Sequence, residues 1–199
     1  VETIRNDQAR TVVDVLANDP SVRGQWSEMS YTSAPMIRGF LVSPWDFSLN
    51  GTYGVIPGLA FGAESTERIE VLRGPSALLN GMPPLGSVGG SINIVPKRAT
   101  VEPINRLGLN FVSDSQFGGS VDLGRRFGPD HAVGIRLNAS YSDGDTASER
   151  QSQRASLVSI GADYAGERLR VSLDAGYQDR RTLSPLRPTY VNAGVPVPA

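Results

Sequence analysis

The sequence predicts a mixed α/β region followed by antiparallel β-strands, and two observations carry this reading. Up to about residue 99 there is one helical signal, a few short apolar runs and dense glycine and proline. Beyond about residue 101 the chain becomes five alternating segments, each of about ten residues, joined by short polar links.

In residues 1–20, Asp7 can cap a helix in which Val12, Val13 and Leu16 share a face, and Asn18-Asp19-Pro20 stops it. Residues 21–66 read as loop-rich with short strands such as "MIRGFLV". "RIEVLR" (68–73) alternates as a strand. Pro75 suits the first position of a short helix "PSALLN", with Gly81 just past its end. "MPPLGSVGG" is then a loop and "SINIVPK" a second strand.

In the later segments, Leu107, Leu109 and Phe111 alternate with Arg106, Gly108 and Asn110, and Val121 and Leu123 with Ser120, Asp122 and Gly124. Val133, Ile135, Leu137, Ala139 and Tyr141 oppose Gly134, Arg136, Asn138 and Ser140. Val158, Ile160, Ala162 and Tyr164 oppose Ser159, Gly161 and Asp163. Leu169 to Tyr177 repeats the pattern against Arg168, Arg170, Ser172, Asp174 and Gly176. "GPDH" and "AGE" are tight links, whereas "SDGDTASERQSQ" and the run from Arg180 are longer and polar. Tight turns on one side, longer loops on the other and tyrosines at strand ends suit a membrane barrel. A soluble sandwich or meander also alternates, so the pattern alone leaves both open. Five strands do not close a membrane barrel, and an open edge in lipid leaves backbone groups unpaired.

Several chemistries are excluded or disfavoured. A formal net charge of −1 gives no basic field for nucleic acid. With no cysteine and a single histidine, His131, there is no thiol nucleophile, Cys-type zinc site or multi-histidine metal site. The glycines at 81, 86, 89 and 90 match neither G-x-x-x-x-G-K-[ST] nor G-x-G-x-x-G, so nucleotide binding is not indicated. Glu64, Glu67 and Glu70 read as a solvated or salt-bridged edge. No apolar run approaches the roughly 20 residues of a membrane helix. "VETIRNDQAR" is not a leader and "VNAGVPVPA" closes no element, so the chain reads as a fragment.

The stretch "ERIEVLRGPSALLNGMPPLGSVGGSINIVPKRA" (67–99) resembles the C-terminal half of the plug domain of TonB-dependent outer-membrane receptors. "QARTVVDVLANDPSVRGQ" resembles the early helix and turn of the same plug, and "MIRGF" its central strand motif. The likeness is greatest to the ferric-siderophore branch. It implies a plug over residues 1–99 and the first five or so strands of a 22-stranded transmembrane barrel over residues 100–199. The fold class is thus a mixed α/β plug followed by antiparallel barrel strands.

The resemblance further implies a bacterial outer-membrane transporter rather than an enzyme. Such a protein has no cofactor of its own, carries iron only inside a bound siderophore, and is energised by TonB through an N-terminal box. Its partners are TonB, the ferric siderophore and outer-membrane lipid, and no nucleic acid. Cobalamin, a glycan or another metal chelate is the alternative cargo. A soluble β-rich binding module is the alternative from another class. In the family, the arginines of "IRGF" and "RGP" lock the plug to barrel glutamates; these are Arg38 and Arg73 here. A local ion pair within the plug, for instance with Glu70 or Glu67, is the competing reading. By position relative to those motifs, the cargo-contact candidates are Trp26, Pro44, Trp45, Tyr53 and Ile56.

Overall fold

The computed structural model of the chain describes residues 9–25, 34–56, 58, 61–74, 78, 81–112 and 115–185. Helix α1 (Val12–Leu16) starts at Thr11 rather than at Asp7, which lies outside the described residues. The reason is a reciprocal cap: the Asp14 amide donates to Thr11 Oγ1 at 3.3 Å, and the Thr11 amide donates to Asp14 Oδ2 at 2.7 Å. The helix buries Val12, Val13 and Leu16, as their spacing predicts.

Strands β1 (Val22–Gly24), β2 (Pro35–Ile37) and β3 (Phe40–Leu41) form one antiparallel sheet. The β2–β3 turn is the pair Arg38-Gly39, with φ of 50° and 86°, the double left-handed geometry of a tight hairpin. Strands β4 (Ser48–Leu49), β5 (Thr52–Tyr53), β6 (Thr66–Arg73) and β7 (Gly90–Pro96) form a mixed sheet in the order β5-β4-β7-β6, with β4 parallel to β7. Of the expected "PSALLN" helix, Leu78 is helical and its other residues lie outside the described residues. One apolar cluster joins the helix and both sheets: Val12, Leu16, Val22, Ile37, Val42, Phe47, Ile56, Ile92 and Ile94. This part therefore has a core of its own. Ile94→Ala should cost about 2–5 kcal/mol in a denaturant titration of the plug.

Strands β8 (Ile104–Val112), β9 (Gln116–Phe127), β10 (Val133–Asp145), β11 (Ser152–Ala165) and β12 (Arg170–Leu183) form a five-stranded antiparallel meander. Its polarity is inverted relative to a soluble sheet. Arg136 is 1% exposed while its neighbour Leu137 is 36% exposed, and Val133, Ile135, Val158, Ile160, Val171 and Leu173 are likewise bare. The polar face lies against the α/β part and the aliphatic face is uncovered, which is the arrangement of a membrane barrel wall. The soluble-sandwich alternative puts its apolar face inside and does not fit.

Aromatic side chains border this aliphatic band at both ends. Phe127, Val133 and Tyr164 share one register line near the tight turns; Phe111, Phe117 and Tyr141 lie near the other end. From Val133 to Tyr141 is about 26 Å along the strand. At a tilt of about 40° that spans about 20 Å of depth, against an apolar band about 25 Å tall in such barrels.

The links are shorter than the sequence suggests. Half of "SDGDTASERQSQ" is strand: β10 runs to Asp145, paired with Ser152, and only 146–151 form the loop. The run from Arg180 also begins as strand, to Leu183. Beyond the aromatic ring the outward residues become polar, so the aliphatic alternation ends while the backbone ladder continues.

Candidate functional site

Because β4 and β7 are parallel, the residues just before each lie at one end of the plug sheet, together with the end of β6. At this end Pro44–Asp46 form a short helical turn capped by Ser43. Asp46 is 0% exposed. Its carboxylate accepts from the Leu85 amide at 2.6 Å, the Ser87 amide at 2.9 Å and Ser87 Oγ at 2.5 Å. One carboxylate thereby binds the turn to the glycine-rich loop 81–89.

Trp45 stands on that turn, 55% exposed. A Cβ at Gly58 would lie 2.0 Å from Trp45 Cε2, so the absence of a side chain there gives the indole its seat. Pro44 is buried beneath it, Tyr53 is half-buried, and Ile56 is 3% exposed within the apolar core. Trp26 lies outside the described residues. Of the cargo-contact candidates that are described, only Trp45 offers a large free surface.

The two arginine motifs meet at residues 19–21. Arg73 Nη2 donates to Asp19 Oδ2 at 2.5 Å and Arg73 Nε to Ser21 Oγ at 2.8 Å, while the Arg38 amide donates to the Ser21 carbonyl at 2.9 Å. Arg73 thus makes an ion pair within the plug, with Asp19 rather than Glu70 or Glu67; Glu70 takes Arg68 and Asn93. The Arg38 side chain is exposed. Hydrogen bonds from the Ser21 hydroxyl and amide, then from Arg73, hold the Asp19 carboxyl at a pKa of about 2, below its usual 3.8. The tie is therefore intact above about pH 3.8 and is lost as pH falls toward 2. Asp19→Asn should remove this acid-dependent change, read as hydrogen exchange at the Ser21 amide, which donates to Asp19 Oδ1 at 2.9 Å.

The other end of the sheet runs into the wall. Lys97 Nζ lies 3.2 Å from Asp122 Oδ2 on β9, and Arg98 forks onto Asp174 on β12. Arg136 on β10 grips the same Asp122 with Nε at 2.5 Å and Nη2 at 2.7 Å. Burial pulls the Lys97 pKa down, and the nearby Asp122 carboxylate opposes it. Higher on the wall, the Gly62 amide donates to Gln178 Oε1 at 2.9 Å, beside inward-facing Leu157. There burial pushes the Glu64 carboxyl up, with Arg180, Lys97 and Arg10 acting in the opposite sense. Sequence reading did not find this seam. Its one signal was a Lys-Arg pair leaving the plug before strands whose inner faces carry Asp122 and Asp174.

From Lys97 to Ala99 the contacts move down β9 from Asp122 to Arg126, toward the tight turn at Pro129–His131. The plug sheet thus leaves toward the tight-turn rim, and the end carrying Trp45 points the other way.

Residues 1–88 match the family model described as the TonB-dependent receptor plug domain. Over 195 residues the chain is 39% identical to the ferrichrome receptor FcuA of Yersinia enterocolitica, covering 98% of this chain and 26% of that one. Its residues 1–88 are thus a plug domain of the TonB-dependent receptor type, and the chain as a whole is similar to siderophore receptors. The crystal structure of BauA, the ferric preacinetobactin receptor of Acinetobacter baumannii, superposes with a TM-score of 0.91 at 43% identity, covering 98% of this chain and 29% of that one. The pyoverdine outer-membrane receptor FpvA of Pseudomonas aeruginosa PAO1 shares the fold, with a TM-score of 0.75 at 21% identity over 89% of this chain and 26% of that one. The chain thus spans between a quarter and a third of the length of these relatives. FpvA is named an outer-membrane receptor, and the inverted wall of this chain suits a membrane of that kind.

Proposed function

We propose that the protein containing this chain captures a ferric siderophore at the outer surface and imports it with energy from TonB, received through an N-terminal box. The observation that carries this is an inverted wall whose polar face packs on a plug whose Trp45 end faces away from the tight turns. The two relatives at 39% and 43% identity are named as receptors for ferrichrome and ferric preacinetobactin. Plug and wall divide near residue 99, with the plug in 1–99 and the opening barrel strands in 100–199. Iron enters only as part of the cargo.

In this reading Trp45 is the principal plug contact for cargo, because an exposed indole stacks on flat chelating groups. Tyr53 and Pro44 support its turn and Ile56 supports the core beneath it. Arg38 and Arg73 face carboxylates on wall strands other than β8–β12. Arg73 uses two of its five donors on Ser21 and Asp19, so donors remain for the wall.

Uptake of iron-55 presented on a panel of siderophores, in cells with and without TonB, tests the function. Uptake of one complex that vanishes without TonB is expected; uptake independent of TonB, or import of cobalamin or a glycan instead, overturns it. Trp45→Ala should weaken cargo binding about tenfold, or ~1.4 kcal/mol, by fluorescence titration. Gly58→Ala, which leaves the indole present but displaced, should weaken it in the same direction.

A further inference from the structure

Two consecutive arginines on β9, Arg125 and Arg126, stand in opposite surroundings. Arg126 points inward and is occupied on all three nitrogens. Its Nε donates to the His131 carbonyl at 2.7 Å, its Nη1 to the Ala99 carbonyl at 3.0 Å and its Nη2 to Asp163 Oδ2 at 2.5 Å. Arg125 points the other way, in line with bare Leu123 and Phe127, and is exposed. Its guanidinium meets no acceptor among the described residues.

This cation lies within the lipid-facing band. Among β8–β12, every other outward side chain between the two aromatic borders is uncharged. Phe127 marks the border on β9, and Arg125 lies two residues inside it. That is about 7 Å along the strand, or about 5 Å of depth at a tilt of about 40°. An arginine at such a depth keeps its stem in the apolar layer and lays its head back to the interface. The guanidinium of Arg125 then arrives beside Phe127, at the height of the lipid headgroups.

The wall around it is shaped for one anionic group. On one side the register partner of Arg125 is Ile135. On the other the ladder stops, because Ile104 pairs with Gly124 and the next position toward the rim is Pro103, outside the strand. Asn105, the register partner of Leu123, is the diagonal neighbour of Arg125 and presents a side-chain amide on the same face. A planar guanidinium can hold two oxygens of a phosphate at once. The surface leading away from it is aliphatic, through Leu123, Ile135 and Leu137. A free anion has no use for that strip, whereas a phospholipid carries its phosphate at the border and its chains over the strip.

We propose that Arg125, with Asn105 beside it, holds the phosphate of one phospholipid in the leaflet on the tight-turn side, with the acyl chains lying along Leu123, Ile135 and Leu137. The bound lipid sets the height of the wall at this rim. The site requires only that this face meets lipid, and it is independent of which cargo the receptor carries.

The test uses the full-length receptor, stripped of lipid in a mild detergent and titrated with dioleoyl phosphatidylglycerol, with retained lipid counted by native mass spectrometry. Arg125→Gln removes no contact to a described residue and should keep the heat-modifiable folded band. It is expected to need about fivefold more lipid than wild type to retain one molecule. Arg125→Lys, which keeps the charge and loses the fork, should fall between the two. Arg154→Gln changes an outward arginine already paired with Asp143 beyond the opposite border, and should match wild type. Two further probes identify what is held. Dioleoylglycerol has the same chains without phosphate and should bind wild type no better than Arg125→Gln, and millimolar inorganic phosphate should not displace the retained lipid. Equal retention by wild type and Arg125→Gln overturns the site, and an equal loss in Arg154→Gln overturns its place at this rim. Dioleoylglycerol binding that depends on Arg125, or displacement by inorganic phosphate, overturns a phospholipid as the occupant.

Discussion

Leu137→Arg should destabilise the folded receptor by about 2–4 kcal/mol, the cost of an arginine at the bilayer midplane on the lipid face of a barrel. Leu137 is four residues from Val133, on the Phe127–Tyr164 line, and four from Tyr141. It is about 13 Å along the strand from either aromatic border, too far for a guanidinium to reach the headgroups comfortably. Its register neighbours Leu123 and Ile160 are aliphatic, so no partner waits on the adjacent strands. The effect is measured as the urea midpoint of the heat-modifiable folded band in the full-length protein. Leu137→Ala, which removes packing but adds no charge, should fall well short of it. A Leu137→Arg variant as stable as wild type would mean that this face is not bathed in lipid.

What the sequence reveals of this molecule depends on how local the cause is. The barrel strands were legible because lipid forces a strict two-residue period: Val133 to Tyr141 out, Gly134 to Ser140 in, as observed. The same rule fails where lipid stops. At Asp143 and Arg154, which pair with each other beyond the tyrosines, both faces are polar, so a strand looks like a loop. The start of α1 was misplaced for a similar reason. Asp7 and Thr11 are both acceptable caps, and only Asp14 bonding back to the Thr11 amide selects the second.

The site was less legible because its partners are far apart in the chain. The family resemblance drew attention to Arg38 and Arg73, yet the pairing of Arg73 with Asp19 spans 54 residues and leaves no periodic trace. Arg98 and Asp174 are 76 residues apart. An inward aspartate in a barrel strand is unremarkable alone; it gains meaning once the register puts Asp122 beside Asn138, and Arg136 beside Gly124. Glycine is informative here in an unusual way. Gly124, Gly134 and Gly161 mark the places where a long cation from another element must lie flat against the wall.

Arg136→Leu, one residue from Leu137, should be at least as damaging for the opposite reason. It removes the guanidinium that grips Asp122 at 2.5 and 2.7 Å and frees the Arg98 carbonyl. Asp122 would remain at a largely dehydrated seam with only Lys97 to balance it, and breaking one side of such a buried pair costs about 3–5 kcal/mol. The leucine is the more apolar residue, so any account based on hydrophobic burial alone predicts a gain. The two positions separate these accounts, since the outward site needs an aliphatic side chain and the inward site a cation. A double-mutant cycle decides whether the loss belongs to the pair. Asp122→Asn combined with Arg136→Leu should cost less than the two single changes added together, by about 0.5–3 kcal/mol, because the double variant buries no unpaired carboxylate. Strict additivity would show that Arg136 acts through its contact with the Arg98 carbonyl and not through Asp122. Arg136 would then hold the plug's exit through the Arg98 carbonyl, while Asp122 would serve Lys97.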